Sequence, residues 1–200
     1  MTLPIAFRPA MGIPWQPVTS FAGAGLVLLV VASIWVTSPI AGVALQISVP
    51  ALAAGTACLL DEAATEAVAA TPTSLRARSA ARLVFAGAIW GAGVLGLVAL
   101  ALRSGVSARL GVVAQLTGCI LVAVAVASAL RRRTAEPGEA VGATLVGVVL
   151  SLSIINPLAR WVDLFPTDPG QRWAGSLTLW AVVGLMSVAT AVRATRDPLE

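Results

Sequence analysis

The sequence predicts an all-α, polytopic membrane protein with six transmembrane helices and both termini in the cytoplasm. Three observations carry that expectation. Hydrophobic residues fill 58% of the 200 positions and charged residues only 11%, whereas a soluble domain carries about 25% charge because its surface faces water. Six apolar stretches, none with a charged residue, recur along the chain with little sequence left between them. Nothing alternates apolar and polar positions over the roughly 10 residues of a barrel strand, which sets a transmembrane β-barrel aside.

The elements follow in chain order. Residues 1–20 form a Pro-rich cytoplasmic or interfacial segment in which Pro4, Pro9, Pro14 and Pro17 break any continuous helix. Ile5, Phe7, Met11, Ile13 and Trp15 suit an extended stretch lying on the inner leaflet. The transmembrane domain, residues 21–192, begins with a span at 21–37. A helix needs roughly 20 residues at 1.5 Å each to cross about 30 Å of hydrocarbon, so this first span sits at the short end. It exceeds the 7–15 apolar residues of a signal peptide, and Ser38-Pro39 leads straight into a second span at 40–60, so it reads as a retained helix. The remaining spans are placed at 83–102, 110–130, 140–158 and 173–192, with a cytoplasmic tail at 193–200. The longest connection, 61–82, is far too short for an independent soluble core. Gly87-xxx-Gly91 and Gly138-xxx-Gly142 have the spacing of close helix crossings, a spacing that chance also produces in a glycine-rich chain.

Orientation is read from arginine, which supplies all thirteen basic residues. The side holding the termini and the second and fourth loops carries nine: Arg8, Arg76, Arg78, Arg82, Arg131, Arg132, Arg133, Arg193 and Arg196. The other side carries four: Arg103, Arg109, Arg160 and Arg172. This asymmetry places both termini in the cytoplasm. Basic loops beside an anionic leaflet account for the net charge of +4, so no nucleic-acid partner is implied. The Arg131-Arg132-Arg133 cluster reads first as a topology determinant, with a lipid-headgroup or partner contact as the other reading. The absence of lysine amid abundant alanine, glycine and valine points to a high-GC bacterial genome, and hence to a bacterial plasma (inner) membrane. Cysteines introduced at Thr134 and Thr167, after replacing Cys58 and Cys119, test the topology directly. In intact cells, a membrane-impermeant thiol reagent should label the Thr167 position only, and labelling at Thr134 would reverse the assigned orientation.

Absent residues exclude chemistry. With no histidine, histidine-based catalytic dyads, histidine-ligated haem and histidine-containing zinc sites are ruled out. No metal site is expected. Without lysine the chain cannot hold the Gly-rich phosphate loop of a nucleotide hydrolase. Every Asp and Glu falls in a loop or at a helix end, which disfavours an ion-coupled carrier. No cluster of carboxylates or nucleophile-base pair marks an active site, so the chain is expected to be non-catalytic. Cys58 and Cys119 differ in depth by roughly 13 Å at 1.5 Å per residue and read as packing residues. The polar residues inside the spans, Gln46, Gln115 and Asn156, are candidates to line a pathway. Interhelical hydrogen bonding is the alternative for the two glutamines, worth roughly 0.6 kcal/mol on average.

The 61–82 loop is the most organised connection. Asp61 and Glu62 end the membrane run, an alanine-rich, helix-prone stretch continues to Ala70, and Thr71 caps a new start with Pro72 at the first helical position. Asp61, Glu62 and Glu66 could face outward as an acidic surface or answer Arg76, Arg78 and Arg82 within the loop. Asn156-Pro157 ends the fifth span, and Trp161, Val162, Leu164 and Phe165 follow with charges interspersed, as in a segment dipping into the outer leaflet.

This plan, from about Phe21 to Val192, resembles the membrane subunits of ABC-2-type ABC transporters. The resemblance implies a permease subunit of an ABC exporter, forming the pathway of an amphipathic or hydrophobic substrate and driven by a separate ATPase chain. It implies a coupling helix between the second and third spans that docks on the ATPase, with Asp61, Glu62, Glu66, Thr71 and Pro72 as the coupling residues. ATP and Mg would be bound by the partner, not by this chain. A second copy or a similar membrane subunit would complete the pathway, within membrane lipid, and a short re-entrant element would lie between the fifth and sixth spans. An ATP-independent secondary transporter or channel, or a membrane scaffold or assembly protein, are the other readings.

Overall fold

A computed structural model of the chain describes residues 13–36, 39–61, 75–104, 109–131, 133–134, 136–158, 160–166 and 173–194. Among these, six α-helices and no strand are found: α1 (Trp15–Ile34), α2 (Pro39–Cys58), α3 (Leu75–Ser104), α4 (Arg109–Leu130), α5 (Gly138–Ile155) and α6 (Trp173–Ala194). All six are long and apolar enough to cross a membrane. Successive helices run in opposite directions. The start of α1, the end of α2, the start of α3, the end of α4, the start of α5 and the end of α6 therefore share one end of the bundle, called here the arginine end.

Helix boundaries depart from the sequence expectation where local backbone chemistry intervenes. α1 starts at Trp15, six residues before the expected 21, so the segment 1–20 is not extended throughout. Pro17 lies in the first turn, where an N–H has no intrahelical acceptor and its loss costs nothing. α1 ends at Ile34 rather than Thr37, with the Trp35 N–H returning to the Val31 carbonyl at 3.1 Å. α3 begins at Leu75, so Arg76, Arg78 and Arg82 stand on a helix continuous with the third span. Its 30 residues measure ~45 Å, more than the hydrocarbon needs. α5 stops at Ile155 instead of reaching Leu158. Asn156 adopts a left-handed conformation (φ 34°, ψ 71°) with its N–H on the Leu152 carbonyl, and Pro157 follows. A residue before proline avoids the helical region, and asparagine tolerates the left-handed cap.

Two helices form the centre. Of the membrane-crossing windows, 67% of α2 and 61% of α4 are buried, against 22–28% for the other four. α2 packs on α1, α3, α4 and α5, while α4 packs on α2, α3, α5 and α6. Between them Leu52, Leu97 and Leu116 are fully buried with Ala53, Ala57, Ala123 and Ala127. Alanine and glycine let the backbones approach, which matters where lipid is as apolar as leucine and dispersion packing must hold helices together. Both cysteines are buried and free.

The two glycine pairs behave differently. A Cβ on Gly138 would come within 2.5 Å of the Ala57 carbonyl oxygen and 2.6 Å of the Cys58 Cα, and one on Gly142 within 3.0 Å of the Ala54 Cβ. Gly138-xxx-Gly142 is thus the crossing of α5 on α2. Gly87 and Gly91 have nothing within 4 Å and mark no crossing among the described residues. A further pairing joins α4 to α6: Trp173 and Trp180, seven residues apart, cover Gly111 and Gly118, also seven apart, so closely that a Cβ at either glycine would overlap an indole ring.

Candidate functional site

The arginine end holds a buried polar knot built where four helices meet. After α2, the Leu60 and Asp61 N–H groups turn back onto the Ala57 and Cys58 carbonyls at 3.0 and 3.2 Å. The turn leaves Asp61 only 2% exposed. Its Oδ1 accepts the N–H of Gly138, the first residue of α5, at 2.5 Å. The opening N–H groups of a helix lack intrahelical acceptors and carry the positive end of its dipole, so a carboxylate fits there. No local residue does this work: Pro137, at the N-cap, has no side-chain cap bond. From α3, Arg82, 3% exposed, donates through Nη1 to the Asp61 main-chain carbonyl at 2.7 Å. From the end of α4, half-buried Arg131 feels the Asp61 charge.

Electrostatics reflect this burial. Desolvation pushes Asp61 up to about 6; Glu136 adds to the rise, while the Gly138 and Glu139 N–H groups and Arg82 oppose it. Burial lowers Arg131, and Asp61 opposes that shift. The knot is held by hydrogen bonds that single out one arrangement of α2, α3 and α5, against the cost of keeping charges out of water.

Asp61 therefore corrects one expectation. Its carboxylate is buried against the start of α5 and is not part of an exposed acidic surface, and Arg82 reaches it through the main-chain carbonyl, not the carboxylate expected in a pairing across the loop. Glu62, Glu66, Thr71 and Pro72 lie outside the described residues.

No family model, curated protein or solved structure matches the chain. Its function has to be read from its own geometry.

At the opposite end, residues 164–166 fold into the bundle. Leu164 and Pro166 are buried, and Phe165 packs on Trp180 with ring centroids 5.4 Å apart. Trp180 Nε1 donates to the Leu164 carbonyl at 3.0 Å, and Gln115 Nε2 donates to the Pro166 carbonyl at 3.2 Å. Gln115 lies six residues into α4, ~9 Å along its axis. Non-helical backbone at such a depth persists only where protein covers it and its carbonyls find donors. Trp161, 71% exposed, remains at the surface.

The three pathway candidates are engaged in different ways. Gln115 is buried and its amide serves the 164–166 segment, not Gln46. Asn156 caps α5, its Oδ1 buried without a hydrogen-bond partner among the described residues. Gln46 is half-buried four residues before Pro50, whose ring nitrogen cannot donate to the Gln46 carbonyl. Among the described residues no group of three metal-ligating side chains occurs. Sequence reasoning missed Gly138 as the partner of Asp61, and nothing local signals a cap from 77 positions away. It also missed Trp180, for which the matched seven-residue spacings of glycine and tryptophan were a usable signal.

Proposed function

We propose that this chain is the membrane-spanning permease subunit of an ATP-driven exporter in a bacterial plasma membrane, with ATP and Mg bound by a separate ATPase chain. Two copies, or one beside a similar membrane subunit, would enclose the path of an amphipathic or hydrophobic substrate. The observation that supports this most is the base of the 61–82 loop. The connection leaves α2 at Asp61 and runs into α3, and Asp61 and Arg82 of α3 are hydrogen-bonded to each other and, through Asp61, to the start of α5. A force applied to the loop is therefore delivered at once to α2, α3 and α5. Such rigid connection of one loop to several helices is what energy transmission from a peripheral motor requires.

The test uses Glu62 and Glu66, which lie outside the described residues. Glu62→Ala combined with Glu66→Ala should leave insertion and expression intact while lowering both association with the ATPase and substrate-stimulated ATP hydrolysis. Normal coupling together with lower stability in detergent would assign these glutamates to pairing within the loop and remove the coupling role. Substrate movement by the purified chain alone in liposomes would favour an ATP-independent carrier instead.

A further inference from the structure

α4 and α5 touch closely only over part of their length, and a groove of about 250 Å³ opens between them. Val122, Val126 and Leu130 form one wall, spaced by four residues along a single face of α4; Ala140, Thr144 and Val148 form the other, spaced likewise on α5. The groove thus runs parallel to both helices for ~12 Å. Val126, Leu130 and Val148 are 38–49% exposed, so it opens sideways to the membrane.

Its mouth lies at the arginine end. Leu130, the last groove residue of α4, is followed directly by Arg131-Arg132-Arg133. The chain does not run off there: the Arg133 and Thr134 N–H groups both return to the Leu130 carbonyl, at 2.7 and 3.0 Å, which keeps exposed Arg133 within one turn of the groove. Two acids, Glu136 and Glu139, are exposed at the same end of the bundle.

We propose that this groove binds an anionic phospholipid of the leaflet on the arginine side, with one acyl chain between α4 and α5 and the head-group phosphate at Arg133. An apolar channel of helix-parallel direction suits a straight hydrocarbon chain. The exposed Arg133, just past the end of α4, suits the phosphate and prefers a net negative lipid over a zwitterionic one. The site stands apart from the transport reading and survives if that reading fails.

The full chain, purified in mild detergent, would be offered phosphatidylglycerol and phosphatidylcholine with identical acyl chains, and retained lipid counted by native mass spectrometry. Phosphatidylglycerol should be retained about fivefold better, the effect of one basic residue near an anionic surface. Arg133→Gln should bring the two lipids to near equality. Val148→Trp, at a membrane-facing position where a larger side chain leaves the core intact, should fill the groove and lower retention of both lipids without changing oligomer mass. Equal retention of the two lipids by the unaltered chain overturns the proposal. So does unchanged retention in Val148→Trp, and a change of oligomer mass there would make the groove a contact between copies.

Discussion

Gly138→Val is expected to be among the most damaging single substitutions in this chain, lowering stability by on the order of 3 kcal/mol, the upper part of the range for overpacking. The position leaves no side chain that can yield. A Cβ there would meet the Ala57 carbonyl oxygen at 2.5 Å and the Cys58 Cα at 2.6 Å, both main-chain atoms of α2. Relief requires α5 to move off α2, which also withdraws the Gly138 N–H from Asp61. Gly87→Val is the matched control, because nothing lies within 4 Å of that glycine. Unfolding in mixed micelles of rising SDS content should place Gly87→Val near the unaltered chain and Gly138→Val far below it. Equal midpoints would mean that α5 does not cross α2 at Gly138.

Asp61 should show a separable contribution from hydrogen bonding and from charge. Asp61→Ala leaves the buried Gly138 N–H without an acceptor, whereas Asp61→Asn retains a side-chain oxygen in the same place. The alanine variant should therefore be less stable than the asparagine variant by roughly 2 kcal/mol, the cost of an unsatisfied buried donor. The pH dependence follows from burial, which raises the Asp61 carboxyl from 3.8 to about 6. A group whose folded value lies above its unfolded value holds its proton more tightly when folded. Its contribution is greatest at low pH and declines as pH rises from 3.8 to about 6. Asp61→Asn, with no proton to lose, should flatten that decline in the same SDS titration run at several pH values. A decline that persists in Asp61→Asn would assign it to another group, and equal stability of the two variants would remove the capping role.

Both expectations concern residues whose importance was only half visible beforehand. Gly138-xxx-Gly142 and Gly87-xxx-Gly91 are indistinguishable as patterns, yet one touches α2 backbone and the other faces open space. The pattern states that a helix can be approached closely, not that a neighbour is there. Asp61 was legible as a charge at a membrane boundary, and its preference for the start of a helix was legible too. Which helix it would serve was not, because the recipient lies 77 residues away and is chosen by how α5 crosses α2. Gln115 was similarly legible as polar and in need of a partner, while the partner, the Pro166 carbonyl, depends on a loop folding inward.

Local chemistry alone therefore determined the six apolar helices, their approximate limits and the lack of histidine and lysine chemistry. Each of these follows from hydrocarbon thickness, backbone hydrogen bonding and the ionisable groups a chain contains, none of which depends on distant contacts. The tertiary structure alone decided that α2 and α4 occupy the centre, that Asp61 turns inward to join Gly138 and Arg82, and that 164–166 lies beneath Trp180 and Gln115. In lipid all six helices are similarly apolar on every face, so hydrophobicity cannot rank one face over another. The choice falls to close backbone approach at glycine and alanine and to the few polar groups that must find one another away from water.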